Sequence, residues 1–592
     1  MPPIQPITQL LSRLWYHISP RHRRQFGLLL ILMIFTSFAE ILSIGAVLPF
    51  LGVLTAPERV FEHPAVQPLV QAIGLVAPDQ LLLPLTIAFG FAALIAGAMR
   101  LLLLWASTRL SFATGADLSI SIYRRTLYQP YAVHVARNSS EVINGITGKA
   151  NGVIYGCIVP VLAVISSTIM LIAILIAILA IDPVIALATF GGFGLIYALI
   201  IRLNRKQLSI DSQRIAREST HVIKSLQEGL GGIRDVLIDG NQAAYCQIYR
   251  NADHPLRRAQ GNTLFISQSP RYGMEALGML LISVLAYTLA QQPDGIAKAI
   301  PVLGALALAA QRLLPVLQLA YASWATVQGG QASLQDTLEL LDQPLPDYAD
   351  QPVAKPLPFR QQINLDQVSF RYSPQTPWVL KNLDLSIAKG SRVGIIGTTG
   401  SGKSTMLDIV MGLLVPTEGT LKVDGQIITA GNHRAWQAHI AHVPQAIFLA
   451  DSTIEENIAF GISKEQIDHK RVRQAAQQAQ IADIIETWPR QYQTFVGERG
   501  IRLSGGQRQR IGIARALYKQ ADVIIFDEAT SALDNETEQA VIQAIEGLSE
   551  DLTILIIAHR VTTLKNCTQI VELGDGGIKR SGTYQDILNQ AA

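Results

Sequence analysis

A glycine-rich loop between an apolar strand and a helix is the feature that constrains this chain most. Residues 397–405 have the spacing G-x-x-x-x-G-K-S, follow the β-type stretch 391–396 and open the helical pattern 406–414. In that context glycines let successive backbone N–H groups turn towards phosphate oxygens, and the helix N-terminus adds a favourable dipole. A glycine turn without a ligand is the alternative. The flanking strand and helix favour an α/β domain that binds a nucleoside triphosphate.

We assign every residue of this phosphate loop to nucleotide binding. The loop consists of Gly397, Thr398, Thr399, Gly400, Ser401, Gly402, Lys403, Ser404 and Thr405. Lys403 is expected to reach the β- and γ-phosphates, and the Ser404 hydroxyl is expected to help hold Mg²⁺.

Polar residues also follow other apolar strands of the same half. Asp527 and Glu528 end the buried-strand run that begins at Val523. Asp527 suits the Mg²⁺ shell, and Glu528 suits a general base that orients the attacking water.

Two further residues extend this prediction. His559 ends the apolar run 552–558 and is expected to contact the γ-phosphate. Gln445 follows the short run 442–444 and is expected to sense the γ-phosphate and the metal. Each of these residues is a weak signal alone, because polar residues at strand ends are common.

A second glycine turn points to a partner subunit. Ser504, Gly505, Gly506 and Gln507 open the helical stretch 508–517, and a Ser-Gly-Gly turn at a helix N-terminus is another anion site. One domain does not need two such sites for one γ-phosphate. The pattern therefore predicts a homodimer in which each Ser504 turn closes on the partner's phosphate loop.

The first half of the chain has a different composition, which predicts membrane helices. Charged residues make up only 16% of the whole sequence and apolar residues 49%, and the deficit of charge is concentrated before residue 343. Six apolar segments of about 20 residues or more are each long enough to cross a hydrocarbon core of about 30 Å. They are 26–54, 80–108, 152–181, 183–204, 264–291 and 296–320. A buried helix of a soluble protein can imitate one such run but not six in succession.

Basic residues predict the orientation of these segments. They concentrate before the first segment and in the connections 109–151 and 205–263, so we expect these parts to be cytoplasmic. Both connections are helical in pattern, with interruptions near 130–138 and 240–249 that indicate either short cross-helices or ordinary loops. The long external connection 55–79 contains 66–75, which is either a short amphipathic helix or a connector.

Proline and cysteine usage complete the outline. The proline-rich stretch 344–358 is typical of a linker, so we expect a membrane domain at 1–343, a linker at 344–360 and a nucleotide-binding domain at 361–592. The three cysteines are far apart and odd in number, which argues against a disulfide framework. The net charge of +3 is too small to indicate nucleic acid as a partner.

Taken in order, the motifs resemble those of ATP-binding cassette (ABC) transporters of the exporter type. They are Tyr372 within 370–372, the phosphate loop, Gln445, the signature 503–507, 527–528, 531–534 and His559. The resemblance covers the whole chain and implies a half-transporter whose ATP hydrolysis drives transport across a bacterial cytoplasmic membrane. It implies that Tyr372 stacks on adenine, that Asp534 helps form the dimer interface and that Glu528 is the catalytic carboxylate. Residues 494–500 resemble the exporter segment that meets the partner's cross-helices.

Charges inside the apolar segments are the best indication of what is moved, because an ionisable residue in a membrane is costly and usually faces a cavity. The five such residues are Glu40, Arg100, Arg271, Glu275 and Arg312. At about 1.5 Å per residue, the three arginines fall at similar depth, roughly 24–30 Å from the outer end. Guanidinium groups suit phosphate or pyrophosphate. The alternative is that these residues form structural ion pairs, as the spacing of Arg271 and Glu275 permits, or lie in the headgroup layer.

The surroundings of these charges narrow the resemblance. Residues 37–50, 270–275 and 310–315 and the long external connection resemble the PglK-type lipid-linked oligosaccharide flippases and related glycolipid exporters. That resemblance implies an amphipathic glycolipid substrate carried by a (pyro)phosphate link. A peptide or drug exporter of the same fold, or an ATP-gated channel or sensor, remains open as an alternative.

Overall fold

Two compact units make up the chain. The computed structural model describes residues 5–55, 57–62, 74–181, 183–290, 295–352, 354–528, 539, 542–543, 545–558 and 561–589. The first unit comprises Met1–Gln129 and Arg137–Leu345, and the second comprises Pro130–Ala136 and Pro346–Ala592. The predicted order of a helical domain followed by an α/β domain is confirmed.

Long helices form the first unit, six of them among the described residues, and each covers all or most of one predicted apolar segment; the segment 152–181 begins before its long helix, in the short pieces Ala150–Val153 and Ile154–Ile158. Their bounds are Pro20–Thr55 (α1), Leu82–Leu127 (α2), Val159–Ile181 (α3), Pro183–Gly231 (α4), Gln242–Ala290 (α5) and Gly295–Leu341 (α6). In the described part, three stretches are long and apolar enough to cross a membrane: Pro20–Ser43, Pro78–Leu127 and Ser139–Ile176. Helices α2, α4, α5 and α6 continue well beyond their apolar segments.

Short helical pieces connect the long ones. They are Ile7–His17, Pro57–Phe61, Ser139–Asn144, Ala150–Val153 and Ile233–Ile238, with a 3₁₀ turn at Pro78–Leu81 and π turns at Gly145–Lys149 and Ile154–Ile158. Most of the external stretch 66–75, for which a surface helix was one expectation, lies outside the described residues.

One predicted interruption of the helical pattern is confirmed at its first residue but extends in the other direction. The helices are broken at Gly240, within the expected stretch 240–249, and also earlier, where the pair Gly231 and Gly232 ends α4 and the short helix Ile233–Ile238 follows. Gly240 then adopts a φ of +67°, and α5 begins at Gln242. Glycine permits this left-handed turn, so the glycines rather than residues 242–249 determine the break.

The other interruption is where it was expected. A short helix covers Tyr131–Ala136, and the segment Pro130–Ala136 belongs to the compact second unit. Within that unit, burial raises the pKa of the Tyr131 phenol, as do the neighbouring Asp408 and Tyr372.

Two sheets form the centre of the second unit. The antiparallel sheet has the order β2-β1-β4-β5, with strands Gln362–Phe370 (β1), Leu380–Ala388 (β2), Glu418–Val423 (β4) and Gln426–Ile427 (β5). The other sheet has the order β10-β9-β3-β8-β7-β6. Its strands are Arg392–Gly397 (β3), Ile440–Val443 (β6), Val523–Asp527 (β7), Thr553–Ile557 (β8), Gln569–Gly574 (β9) and Gly577–Gly582 (β10).

Burial along the strands distinguishes the two sheets. Strand β2 alternates, with Leu383, Leu385 and Ile387 buried and their neighbours exposed, as expected for a sheet covered on one face. Strands β3 and β7 are buried over four successive residues, because both faces of a parallel sheet are covered. The antiparallel β10 closes one edge of the larger sheet.

Helices surround these sheets. The helix Lys403–Val410 (α7) follows β3, and the helix Gly505–Tyr518 (α8) precedes β7. Shorter helices are His433–Gln437, Ile454–Ile458, His469–Gln478, Ala482–Thr487 and Tyr584–Asn589. The fully buried Trp436 donates its indole N–H to the Val410 carbonyl at 2.7 Å and so joins α7 to the core.

The proline-rich stretch is packed against the second unit. It contains a 3₁₀ turn at Asp347–Asp350, and the Arg434 guanidinium lies 5.1 Å from the centre of the Tyr348 ring. His439 bridges the Leu357 carbonyl and the Asp522 carboxylate. The predicted limits of the linker, 344 and 360, stay a prediction.

Candidate functional site

Strand order brings several of the predicted nucleotide residues to one edge of the larger sheet. Strands β3, β8, β7 and β6 are parallel neighbours, so their carboxyl ends meet at the same edge. The phosphate loop follows β3, Glu528 follows β7, and Gln445 follows β6 by two residues. Ligands of open α/β sheets bind at such an edge.

The phosphate loop has a backbone that requires glycine. Gly397, Gly400 and Gly402 have φ values of +149°, +84° and +95°. A Cβ on Gly402 would lie 2.7 Å from Leu380 Cδ2 and 3.0 Å from the Val379 carbonyl oxygen. Positive φ and lack of space both favour glycine there, as the loop turns into α7.

Lys403 closes the loop on itself. Its ammonium group donates to the carbonyl oxygens of Gly397 and Thr398 at 2.9 and 3.0 Å, and the residue is only 7% exposed. The ammonium group therefore bonds to neutral carbonyl groups of the loop, and phosphate oxygens could take their place as acceptors. The neighbouring Ser404 is exposed, and the buried Ser401 hydroxyl has no hydrogen-bond partner among the described residues.

Gln445 and Glu528 contact each other directly. The Gln445 amide donates from Nε2 to Oε2 of Glu528 at 2.7 Å. Glu528 has a φ of +49°, in the left-handed region that costs a residue with a Cβ about 1–2 kcal/mol. Its backbone N–H donates to the Ile557 carbonyl at 3.2 Å, so the end of β8 holds this turn. Strained backbone of this kind clusters at functional sites.

Three carboxylates, those of Asp408, Asp527 and Glu528, lie near one another at the phosphate loop. Burial raises the pKa of Asp527, as does the neighbouring Glu528, whereas Lys403 opposes the rise. Burial and the charge of Asp527 raise the pKa of Asp408 to about 6. Sequence reasoning missed Asp408, which lies on α7 one turn after Ser404 and faces this group. Its signal was a single acid within the otherwise apolar stretch 406–414.

Oxygen donors for Mg²⁺ are present here. Magnesium prefers one or two protein oxygens together with substrate phosphates. The exposed Ser404 hydroxyl and the Asp527 carboxylate are hard donors of that kind. The Gln445 amide, which donates to Glu528 through nitrogen, would use its oxygen. The residue types therefore fit the ion.

The signature turn is built by local hydrogen bonds, on a helix that packs on different elements from α7. Ser504 and Gln507 form a capping box at the start of the helix. The Ser504 backbone N–H donates to Gln507 Oε1 at 2.9 Å, and the Gln507 backbone N–H donates to Ser504 Oγ at 3.2 Å. Helix α8 packs mainly on helices Ile454–Ile458 and His469–Gln478 and on β6, whereas α7 packs on β3. Ser504 and Gly505 are exposed, and Gly506 is buried.

Tyr372 lies beside the phosphate loop. Its hydroxyl is 3.2 Å from Thr405 Oγ1, and its ring meets Phe370 edge-on with centres 5.1 Å apart. The residue is 52% exposed, which leaves surface for an adenine to cover. His559 and Asp534 lie outside the described residues, so their expected roles stay predictions.

In the first unit, four of the five predicted membrane charges form two ion pairs. Arg100 on α2 pairs with Glu40 on α1, whose carboxylate is 5% exposed. Arg271 donates from Nε to Glu275 at 2.9 Å, one turn along α5. Arg312 is on α6, and its side chain lies outside the described part of the chain. The pairs reduce the net charge of the predicted arginine cluster.

Arg271 and Glu275 also line a cavity of about 620 Å³ between α4, α5 and α6. The sequence analysis missed the neutral polar side chains that share this cavity. The lining includes Tyr197, Gln268, Gln318 and Tyr321. Tyrosine and glutamine within apolar helices were the available signal.

Comparisons with known proteins agree with both units. Residues 380–531 match the family model described as ABC transporter, and residues 26–293 match the model described as ABC transporter transmembrane region. An ATP-dependent lipid A-core flippase of Alkalilimnicola ehrlichii is 32% identical over 403 residues, 67% of each chain. The corresponding flippase of Ralstonia nicotianae is 29% identical over 485 residues, 80% of each chain.

Among solved structures, that of a bacterial Atm1-family ABC exporter with ATP bound is similar over 96% of both chains. The TM-score is 0.76 and the sequence identity 24%, so this likeness concerns the fold.

Proposed function

The chain belongs to the ABC transporter family as an exporter half-transporter, and we propose that it flips an amphipathic glycolipid away from the cytoplasmic leaflet of a bacterial inner membrane. It binds ATP and couples ATP hydrolysis to transport. The finer proposal is that the substrate is an oligosaccharide joined to its lipid through phosphate or pyrophosphate.

One observation carries the proposal for the substrate. Arg271, with a side chain 61% exposed, lies in a cavity of about 620 Å³ between membrane helices. A guanidinium in such a place is costly unless it serves a pathway or a partner. Glu275 neutralises it at rest, and a phosphate-bearing head group would compete with that carboxylate for the same donors. The relatives named as lipid A-core flippases support a lipid as the cargo.

For hydrolysis, we assign the residues at the sheet edge as follows. Glu528 is the general base, with His559 beside the γ-phosphate. Ser404, Gln445 and Asp527 hold Mg²⁺. The phosphate loop with Lys403 binds the triphosphate, and Tyr372 covers the base. The bond between Gln445 and Glu528 supports a shared role at one site.

The second anion turn supports a homodimer. The helix that begins at Gly505 packs on different elements from the phosphate loop, and Ser504 and Gly505 at its start are exposed. We propose that each signature turn completes the nucleotide site of a second copy, with Asp534 at the interface. The domain limits expected from the sequence, 1–343, 344–360 and 361–592, belong to the same proposal.

Transport assays in proteoliposomes test this function. The purified chain is reconstituted with a fluorescent glucosyl lipid, and outward movement is followed with ATP or a non-hydrolysable analogue. Movement that requires hydrolysis is the expected result. Sustained flux with the analogue would instead support a gated channel. Transport of peptides or drugs with no movement of any glycolipid would overturn the proposed substrate.

A further inference from the structure

The cavity beside Arg271 offers more hydroxyl and amide groups than charge. Its lining residues contain one guanidinium and one carboxylate, those of Arg271 and Glu275, and these are paired. The other polar members are Tyr197, Ser267, Gln268, Tyr272, Gln318 and Tyr321. Formal charge therefore cancels across the lining, whereas neutral donors and acceptors remain.

Three of these polar groups are buried without a hydrogen-bond partner among the described residues. They are the hydroxyls of Tyr197 and Tyr321 and the Gln318 Nε2 atom. Tyr197 as a residue is only 6% exposed. A buried donor left unpaired is unfavourable, so an occupant that accepts its hydrogen bond would be stabilised.

Aromatic rings flank the same groups. The rings of Tyr197 and Tyr321 lie 5.5 Å apart at 43°, and the Tyr321 ring lies 5.8 Å from Trp324 at 37°. Rings that bring an apolar face and a polar tip suit a ligand with both characters. A sugar has apolar C–H faces and a rim of hydroxyls that both donate and accept.

We propose that this cavity, formed by Tyr197, Gln318, Tyr321 and the Arg271–Glu275 pair, binds the sugar part of the lipid substrate through its neutral groups, while the phosphate link competes with Glu275 for Arg271 alone. The inference rests on the proposed glycolipid transport and deepens it. Tyr197 and Gln318 would hydrogen-bond sugar hydroxyls, and the paired Arg271 and Glu275 would offer a donor and an acceptor at the entrance. Pockets of this size bind ligands through a few convergent polar groups in an apolar wall.

Lipids that differ only in the head group test the assignment. The full-length protein in phosphatidylcholine discs is exposed to monoglucosyl diacylglycerol, to diacylglycerol pyrophosphate or to plain diacylglycerol with the same chains. Bound lipid is counted by native mass spectrometry without nucleotide. We expect the glucosyl lipid to bind more tightly than the other two. Tighter binding of the pyrophosphate lipid that survives in Tyr197→Phe would overturn the inference.

Variants that remove single polar groups sharpen the test. Tyr197→Phe and Gln318→Met keep the size of the side chain, and each should weaken binding of the glucosyl lipid by about five- to tenfold, the effect of one lost hydrogen bond. Tyr123→Phe, which removes a hydroxyl from an exposed tyrosine on α2, is the matched control and should bind normally. Unchanged affinity in both cavity variants would refute the sugar site.

Failure of this inference differs from failure of the proposed function. If glycolipid moves with ATP and Tyr197→Phe alters neither this movement nor binding, the sugar site is refuted and the proposed function stands. If the glucosyl lipid binds tightly through Tyr197 but ATP moves no lipid, the proposed flippase function is refuted and the sugar site stands.

Discussion

Gln445 donates a hydrogen bond to Glu528 across 2.7 Å, although 83 positions separate them in the sequence. The two residues follow neighbouring parallel strands, β6 and β7, so the contact exists only because the sheet places these strands side by side. Any movement of the segment after β6 must therefore alter the surroundings of the carboxylate assigned as general base. This bond gives a direct physical connection between that segment and the site of hydrolysis.

Replacement of Glu528 with glutamine should stop hydrolysis without stopping nucleotide binding. The amide keeps the shape of the side chain and can still accept from Gln445, but it cannot accept a proton from water. We expect the ATPase rate to fall by about 10²–10⁴-fold, the range typical of a lost general base. Rates and ATP affinity are measured in lipid discs. Glu465→Gln, at an exposed acid, is the control, and near-normal turnover in Glu528→Gln would remove the assigned role.

Replacement of Lys403 with methionine should weaken ATP binding. The change removes the cation but keeps the length of the side chain, and the carbonyl groups of Gly397 and Thr398 lose their donor. Charge-assisted hydrogen bonds contribute about 1.5–3 kcal/mol, which corresponds to roughly tenfold to 100-fold in affinity. Titration with a fluorescent ATP analogue measures the effect, with the exposed Lys470→Met as control. Equal affinities in the two variants would contradict the prediction.

The pH dependence of stability should reveal Asp408. Its pKa in the folded chain is raised to about 6, above the ordinary value of 3.8, so the folded state holds a proton that the unfolded chain has lost between these values. Stability therefore falls as pH rises from about 4 to about 6, and the penalty persists above that range. Asp408→Asn should raise the unfolding temperature at pH 7.5 but not at pH 4.

For this half-buried carboxyl we expect a gain on the order of 1 kcal/mol at neutral pH, after allowance for solvent screening. Thermal unfolding of the full-length protein, without nucleotide or Mg²⁺, measures the difference. Asp551→Asn, at an exposed aspartate, should change nothing at either pH. A stabilisation by Asp408→Asn that is equal at both pH values would argue against titration of this group.

Separate and joint replacements should show whether Glu40 and Arg100 form a structural pair. Removal of Arg100 alone leaves a carboxylate that is 5% exposed without its cation, at a cost near the lower end of the about 3–5 kcal/mol found for broken buried pairs. The double variant Glu40→Gln and Arg100→Gln should recover most of the lost thermal stability, because two amides can bond without charge. No recovery in the double variant would favour a role for Arg100 outside the pair.

Arg271 and Arg312 should matter for the lipid more than for ATP. Joint replacement with alanine should lower lipid-stimulated ATPase activity several-fold more than basal activity, because both residues lie among membrane helices. Titration of glycolipid into discs gives both quantities. Arg257→Ala, at an exposed arginine of α5, is the control. An equal loss of basal and stimulated rates would indicate structural roles instead.

Local features of the sequence determined the fold class and much of the nucleotide site. The phosphate loop needs glycines where φ is positive, and a helix must follow so that its N-terminus faces the anion. Both requirements act within about ten neighbouring residues, so a linear pattern records them. The apolar segments are equally local, because the length and hydropathy of one helix determine whether it can cross a membrane. The expected break at 240–249 was correct at Gly240 but missed the earlier break at Gly231 and Gly232, and residues 242–249 are helical.

Only the tertiary structure decided which distant groups meet. The contact between Gln445 and Glu528 depends on the order of strands in a sheet, which no short stretch of sequence specifies. The pairing of Glu40 with Arg100, and the cavity shared by Tyr197 and Gln318, depend on how helices far apart in the chain pack together. Arg100, which the sequence placed in a cationic cluster, is thus part of an ion pair, because the buried carboxylate of Glu40 in an apolar surrounding is stable only beside a cation.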